Sequence, residues 1–117
     1  MRTFVVHSGV RNGIRILRLS GPFTLQGIFE FQSIVLNEND PVNIIDLTAV
    51  PFMDSTSLGE IVRQHTSSRR HQRQYALVGA SERLRTIFKI AGVDQILIMY
   101  PTLEEAQREL ASNDASN

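Results

Sequence analysis

The chain has 117 residues, 42% hydrophobic and 21% charged, which is typical of one folded domain with its own core. It contains no cysteine, which excludes disulfides and thiolate metal sites. The formal net charge is zero, so no overall field attracts nucleic acid or an anionic membrane surface. No signal-peptide segment opens the sequence, and no apolar run approaches the roughly 20 residues of a membrane span. We therefore expect a cytoplasmic domain.

The chain opens with the pattern of a β-hairpin. Strands are expected at 3–7 and 14–19, where apolar residues dominate or alternate with arginine. The connection at 8–13 contains Asn12-Gly13, which is a strong hairpin signal because both residues tolerate positive φ. The two strands are therefore predicted to pair antiparallel.

A helix is predicted after the hairpin. Thr24 can cap its start, and Pro41 indicates an end within 37–41 because the residue before a proline avoids helical geometry. The apolar face of this helix is assigned to Leu25, Ile28, Phe29, Gln32, Val35 and Leu36. Phe23, Phe29, Phe31 and Phe88 are expected to lie mostly in the core. Phe31 is out of phase with the assigned face, and an exposed Phe31 would indicate a partner surface.

The rest of the chain alternates strands with helices. Strands are expected at 42–47, 74–78 and 93–99. The helix after the first of these ends near Ser68, and Ser81 caps the next one. Thr102 and Glu105 form the capping box of a fourth helix, and a frayed tail is expected at 111–117.

The predicted order of elements is ββαβαβαβα. Strands that alternate with helices indicate a largely parallel sheet with right-handed crossovers. We predict an α/β fold with one mixed, mostly parallel sheet of about five strands, an N-terminal antiparallel hairpin and about four helices. No internal repeat or linker divides the chain, so residues 1–117 form a single domain.

Four small polar residues follow the strand at 42–47, and they are Asp54, Ser55, Thr56 and Ser57. They lie where a strand passes into a helix, and unpaired N–H groups at a helix start favour negative charge. Several of them can begin the helix. Asp54 or Ser55 can be the cap, or Ser57 can cap it with Glu60 closing a capping box. If one of these caps explains the whole cluster, its role is purely structural.

The sequence offers little chemistry for catalysis or metal binding. Ser55 lacks the Gly-x-Ser-x-Gly frame of a serine hydrolase, and no phosphate loop of the Walker type is present. His65 lies on an apolar helix face, with no carboxylate at ligand spacing, and is expected to be a core histidine. We predict no catalytic residue, metal or cofactor. A basic run is assigned to solvated helix and loop surface rather than to nucleic-acid binding, and it comprises Arg63, His65, Arg69, Arg70, His71 and Arg73.

The order of elements and the sequence around Ser55 resemble the STAS domain, the fold of bacterial anti-sigma factor antagonists. The motif residues that match are Asp46, Leu47, Phe52, Asp54, Ser55, Thr56, Leu58 and Gly59. Later matches are Leu77, Val78, Gly79, Leu84, Phe88, Ala91, Gly92, Val93, Glu105 and Ala106. Two departures stand out. Ser57 replaces the usual glycine after the hydroxyl pair, and Pro22-Phe23-Thr24 replaces an acidic turn.

The resemblance implies a partner switch controlled by phosphorylation. Ser55 matches the phosphorylated position, with Thr56 as the second choice. The implied partner-binding residues are Phe52, Met53, Asp54, Ser55, Thr56 and Ser57. The implied partners are an anti-sigma factor with serine kinase activity, which binds unmodified Ser55, and a PP2C-type phosphatase, while the chain itself is a monomer or weak homodimer. The alternative is a STAS interaction subunit of another regulatory or lipid-transport complex.

Overall fold

The computed structural model describes residues 3–36 and 40–115. Its elements follow the predicted order, with a 3₁₀ turn before the first helix. The strands are β1 (Val5–Arg11), β2 (Ile14–Ser20), β3 (Val42–Ala49), β4 (Gln74–Val78) and β5 (Met99–Tyr100). The helices are α1 (Ile28–Leu36), α2 (Ser55–Arg70), α3 (Glu82–Ile90) and α4 (Leu103–Ala115), and the 3₁₀ turn is Leu25–Gly27.

The strands form one five-stranded sheet in the order β1-β2-β3-β4-β5. β1 and β2 pair antiparallel, and the other three pairs are parallel. This confirms the predicted fold class. The hairpin turn is shorter than predicted because β1 continues to Arg11. Only Asn12 and Gly13 connect the strands, with φ of 54° and 79°, as a two-residue turn with positive φ requires.

Among the described helices, three pack on one face of the sheet and one packs on the other. On one face, residues of α1, α2 and α3 pack on the sheet, represented by Phe31, Ile61 and Phe88, each 0% exposed. On the other face, Ala106 and Leu110 of α4 pack in a second, smaller cluster. Alternate residues along β2, β3 and β4 point into the two clusters, as the period of a strand dictates.

The face assigned to α1 is partly wrong. Phe31 is fully buried, with its ring centroid 5.1 Å from that of Phe23, whereas Phe29 is 82% exposed. Within α1 the side chains advance about 100° per residue, so a face that buries Ile28 and Phe31 turns Phe29 toward solvent. A face counted from Leu25 at α-helical spacing includes Phe29 and is therefore offset from the face that is buried.

The last strand is much shorter than the predicted 93–99, because β5 contains two residues. Ile96 N donates to Val93 O at 3.0 Å, so the chain is still turning there. Extended pairing begins where Leu77 N donates to Ile98 O at 2.9 Å. A short apolar run is compatible with strand or turn, and this one is mostly turn.

Two predicted helix starts are confirmed. Ser81 Oγ accepts a hydrogen bond from Leu84 N at 3.1 Å at the start of α3. Thr102 Oγ1 accepts one from Glu105 N at 3.2 Å at the start of α4, which is one of the two hydrogen bonds of the predicted capping box; the described residues do not show the return bond from the Glu105 side chain. α4 runs to Ala115, into the segment predicted as a tail. The last two residues of that tail, 116–117, and most of the predicted end of the first helix lie outside the described residues.

Candidate functional site

The loop between β3 and α2 is hydrogen-bonded to the segment that follows β2. Phe23 N donates to Phe52 O at 3.0 Å, and Asp54 N donates to Phe23 O at 3.4 Å. Met53 lies beneath this pairing and is 1% exposed. The start of α2 is therefore held by backbone hydrogen bonds and a buried side chain rather than by a free loop.

Asp54 caps α2 and also holds the 3₁₀ turn before α1. Its Oδ1 accepts from Ser57 N at 2.9 Å, while Ser57 Oγ accepts from Asp54 N at 3.1 Å, which completes a capping box. Its Oδ2 accepts from Leu25 N at 3.0 Å. Burial opposes ionisation of Asp54, but the hydrogen bonds from Ser57 and Leu25 outweigh it and lower the pKa. One carboxylate thus fixes the starts of two helical segments relative to each other.

Two predicted caps are wrong. Thr24 makes no capping hydrogen bond with its side chain, and its hydroxyl instead donates to Gln26 Oε1 at 2.8 Å. Ser57 is the third residue of α2, not its cap, and is 0% exposed. Its hydroxyl completes the capping box from inside the helix, which gives a structural reason for serine where the family motif has glycine.

Glu60 joins α2 to α1 instead of closing a capping box with Ser57. Its Oε1 accepts from Gln32 Nε2 of α1 at 3.0 Å. Its Oε2 accepts from Arg63 Nη2 at 2.9 Å and from Gln64 Nε2 at 2.8 Å. Burial opposes ionisation of Glu60, but these donors and the charge of Arg63 outweigh it and lower the pKa. The second turn of α2 is therefore linked to α1 by the bond between Glu60 and Gln32.

Ser55 is the first residue of α2, and Thr56 the second, and both side chains are exposed. Because Asp54 supplies the cap, Ser55 is not used to begin the helix. Within the described residues, the Ser55 hydroxyl has no hydrogen-bond partner. A negatively charged group on this oxygen would lie beside the N–H groups of the first helical turn, which favour an anion.

The residues expected to contact a partner divide into exposed and buried ones. Phe52 is 42% exposed and lies three residues before the exposed Ser55. Met53 and Ser57 are 1% and 0% exposed, so neither reaches the surface in this conformation. The surface around Ser55 is therefore smaller than the motif alone suggests, and Met53 and Ser57 support it from below.

Two exposed apolar residues beside this surface are missed by the sequence pattern. Leu25 is 61% exposed and Phe29 is 82% exposed, although both were assigned to the buried face of α1. Leu25 N bonds directly to Asp54, so this segment adjoins the start of α2. The apolar pattern of α1 fits a face through Phe29 or one through Ile28 and Phe31, and the packing of Phe31 against Phe23 selects the second.

The histidine and arginine residues of α2 take structural positions. His65 is 2% exposed and its ring centroid is 6.3 Å from that of Tyr75, which confirms the predicted core histidine. Burial, followed by the charge of Arg69, lowers the pKa of His65. Arg69 and Arg70 occupy the last turn of α2, where positive charge complements the helix dipole.

The described residues contain no group of three or more histidine, aspartate or glutamate side chains that could hold a metal ion. In the same ranges, 3–36 and 40–115, no helix is both long enough and apolar enough to cross a bilayer.

Comparison with known proteins places this geometry in context. Residues 6–106 match the family model of the STAS domain. The chain is similar to an anti-sigma-B factor antagonist of Listeria monocytogenes, with 38% identity over 71 residues. That alignment covers 61% of this chain and 59% of the Listeria protein, so less than two thirds of the relative is matched.

Solved structures share the fold. A Thermotoga maritima protein described as an anti-sigma factor antagonist gives a TM-score of 0.82 at 25% identity, covering 89% of this chain and 92% of that one. The antagonist SpoIIAA in its unphosphorylated form gives 0.75 at 18% identity, covering 94% and 97%. The phosphorylated form of the Bacillus protein gives 0.63 at 19% identity, covering 92% and 99%. With the family model matching nearly the whole described sheet and its helices, the chain belongs to the STAS domain family.

Proposed function

We propose that this protein is an anti-sigma factor antagonist that works as a partner switch. With Ser55 unmodified, it binds an anti-sigma factor that is also a serine kinase, and a sigma factor is released to direct transcription. The observation that carries the proposal is the exposed Ser55 hydroxyl at the start of α2, left without a capping role by Asp54. The names of the Listeria and Thermotoga relatives support the same role.

Phosphorylation of Ser55 would change the surface without disturbing the fold. A phosphate adds about −1.5 to −2 charges and three acceptor oxygens at neutral pH. The N–H groups at the start of α2 favour a negatively charged group, so we expect the domain to stay folded. The carboxylate of Asp54 belongs to the residue before Ser55, so a phosphate adds negative charge next to negative charge. A partner surface that fits a neutral Ser55 hydroxyl would bind this more negative surface less tightly. The complex then dissociates.

The cycle needs two other proteins. The kinase partner transfers phosphate to Ser55, and a PP2C-type phosphatase removes it. In this proposal the chain has no catalytic activity of its own and acts in the cytoplasm, where ATP and sigma factors are available. It acts through the surface it presents.

The test is phosphopeptide mapping after incubation with ATP and a purified anti-sigma factor kinase that is encoded in the same genome. We expect phosphate on Ser55 and none on the Ser55→Ala variant, which should still bind the kinase. Ser55→Asp should weaken binding at least about tenfold, equivalent to 1.4 kcal/mol. Thr56→Ala is the matched control, because it removes the neighbouring exposed hydroxyl, and it should be modified normally.

Two results would contradict the proposal. One is a phosphate found only at a residue other than Ser55. The other is a Ser55→Asp protein that binds as tightly as the parent. A pull-down that recovers transporter subunits and no kinase would favour the role of an interaction subunit in a different complex.

A further inference from the structure

Three exposed apolar side chains lie on segments that are hydrogen-bonded to the first turns of α2 or lead into it. They are Leu25, Phe29 and Phe52, with 61%, 82% and 42% of their surface exposed, and we call them the apolar patch. Single exposed apolar residues are common, but neighbouring ones beside a candidate modification site indicate an interaction surface.

Hydrogen bonds fix the position of the apolar patch relative to Ser55. Leu25 N is bonded to the Asp54 carboxylate, one residue before Ser55. Phe29 lies three residues before Gln32 in α1, and Gln32 donates to Glu60 of α2 at 3.0 Å. Residues three apart lie on the same side of a helix, so Phe29 lies on the side of α1 that is linked to α2.

The outer surface of α2 leaves space beside Ser55. Gly59 is one turn after Ser55, is exposed, and a Cβ added there would meet nothing within 4 Å. Thr56 is also exposed and small. These positions therefore present aromatic and small side chains, and they are bordered one turn after Gly59 by Arg63, which is 61% exposed and ion-paired with Glu60.

We propose that Phe29 is an anchor for the kinase partner, which covers the apolar patch with an apolar surface when it engages Ser55. This inference rests on the proposed function. A specific interface covers about 800 Å² on each partner, so one centred on Ser55 reaches residues whose backbone is hydrogen-bonded to its neighbour Asp54. Aromatic anchors near the centre of an interface carry much of its binding energy.

The chain provides a matched control for Phe29. Ile90, at the end of α3, is also 82% exposed and apolar, but it belongs to a different helix. We expect Phe29→Ala to weaken binding to the purified kinase by about tenfold or more, as for an interface hot spot, and to slow Ser55 phosphorylation. Ile90→Ala should change neither quantity by more than about twofold, the range of energetically neutral contacts.

A second variant tests the space at Gly59. Gly59→Gln places a long side chain where the structure has none, and a helix-interior glycine is about 1 kcal/mol less favourable than most other residues. We therefore expect a domain at least as stable in urea unfolding, yet a weaker complex with the kinase. Loss of binding with unimpaired stability cannot come from misfolding.

The outcomes separate this inference from the proposed function. If the parent protein neither binds nor is phosphorylated by the kinase, the proposed function fails. If the parent binds, Ser55→Asp releases it and Phe29→Ala still binds as tightly as the parent, only the anchor fails. A parent that self-associates through Phe29 while Phe29→Ala keeps full kinase affinity would assign the patch to a second copy of the chain and overturn the inference.

Discussion

His65 and Tyr75 are two polar residues held in the core between α2 and β4. Their exposed fractions are 2% and 5%, and burial raises the pKa of Tyr75. In the described part of the chain, both ring nitrogens of His65 and the hydroxyl of Tyr75 lack a hydrogen-bond partner. A buried polar group without a partner costs free energy, so this pair weakens the core locally.

The buried histidine makes stability depend on pH. The pKa of His65 is lowered in the folded state. When the pH falls below about 6.5, the ordinary value for histidine, the unfolded chain therefore binds more protons than the folded chain does. The contribution of neutral His65 is complete above that pH and is lost as pH falls toward the lower folded pKa. We expect urea unfolding to give a lower free energy at pH 5.5 than at pH 7.5.

His65→Phe should remove most of this difference, since the ring stays and its titration is lost. The control is His7→Ala, which removes an exposed histidine from β1 and should leave the parental dependence intact. An unchanged dependence in His65→Phe would show that His65 is protonated or solvated in the folded protein.

Single residues at the site illustrate how far the sequence leads. The motif correctly located the start of α2 and the exposed Ser55 on it. It could not choose between Asp54, Ser55 and Ser57 as caps, because each is a suitable residue at a suitable spacing. The choice also involves Leu25, 29 residues earlier in the chain, whose N–H donates to the second oxygen of Asp54. Local sequence does not contain that contact.

At the scale of elements, the starts of α2 and of the 3₁₀ turn depend on the same carboxylate. We expect Asp54→Ala to lower the free energy of unfolding by about 1–2 kcal/mol, the usual cost of losing a helix cap. Thr24→Ala should change it by less than about 0.5 kcal/mol, the usual range for surface substitutions, because the Thr24 side chain does not cap. Urea unfolding at pH 7 measures both, and equal effects would contradict the assignment of the cap.

The cap also has a pH window. The pKa of Asp54 is lowered in the folded state, so its stabilising contribution is complete above the unfolded value of about 3.9 and is lost as pH falls through the folded value. The difference in stability between the parent and Asp54→Ala should therefore narrow below pH 4.

The boundaries and faces of the elements were predicted from the sequence only where local contacts determine them. The caps Ser81 and Thr102 were predicted because a cap is a local hydrogen bond between residues three apart. The face of α1 and the length of β5 were not, because they depend on how the chain packs. Phe31 is buried against Phe23, and Ile98 joins the sheet only through its carbonyl bond to Leu77.

At the scale of the whole molecule, α4 alone covers one face of the sheet among the described helices. Leu110 of α4 is 4% exposed and packs in the smaller cluster. We expect Leu110→Ala to cost about 2–4 kcal/mol, as for other buried leucines, which a domain of this size can survive. The exposed Ile90→Ala should cost less than about 0.5 kcal/mol. A cost below about 1 kcal/mol for Leu110→Ala in urea unfolding would mean that α4 is not docked in solution.

The strand order has a consequence for how the chain assembles. Each strand pairs with the strand that precedes it in sequence, from β1 through β5. When a new strand emerges from the ribosome, the strand with which it pairs has therefore already been synthesised. No early strand must wait for a distant C-terminal partner, and the loops closed at each step stay short, which favours rapid folding. The sheet can thus grow in the direction of translation.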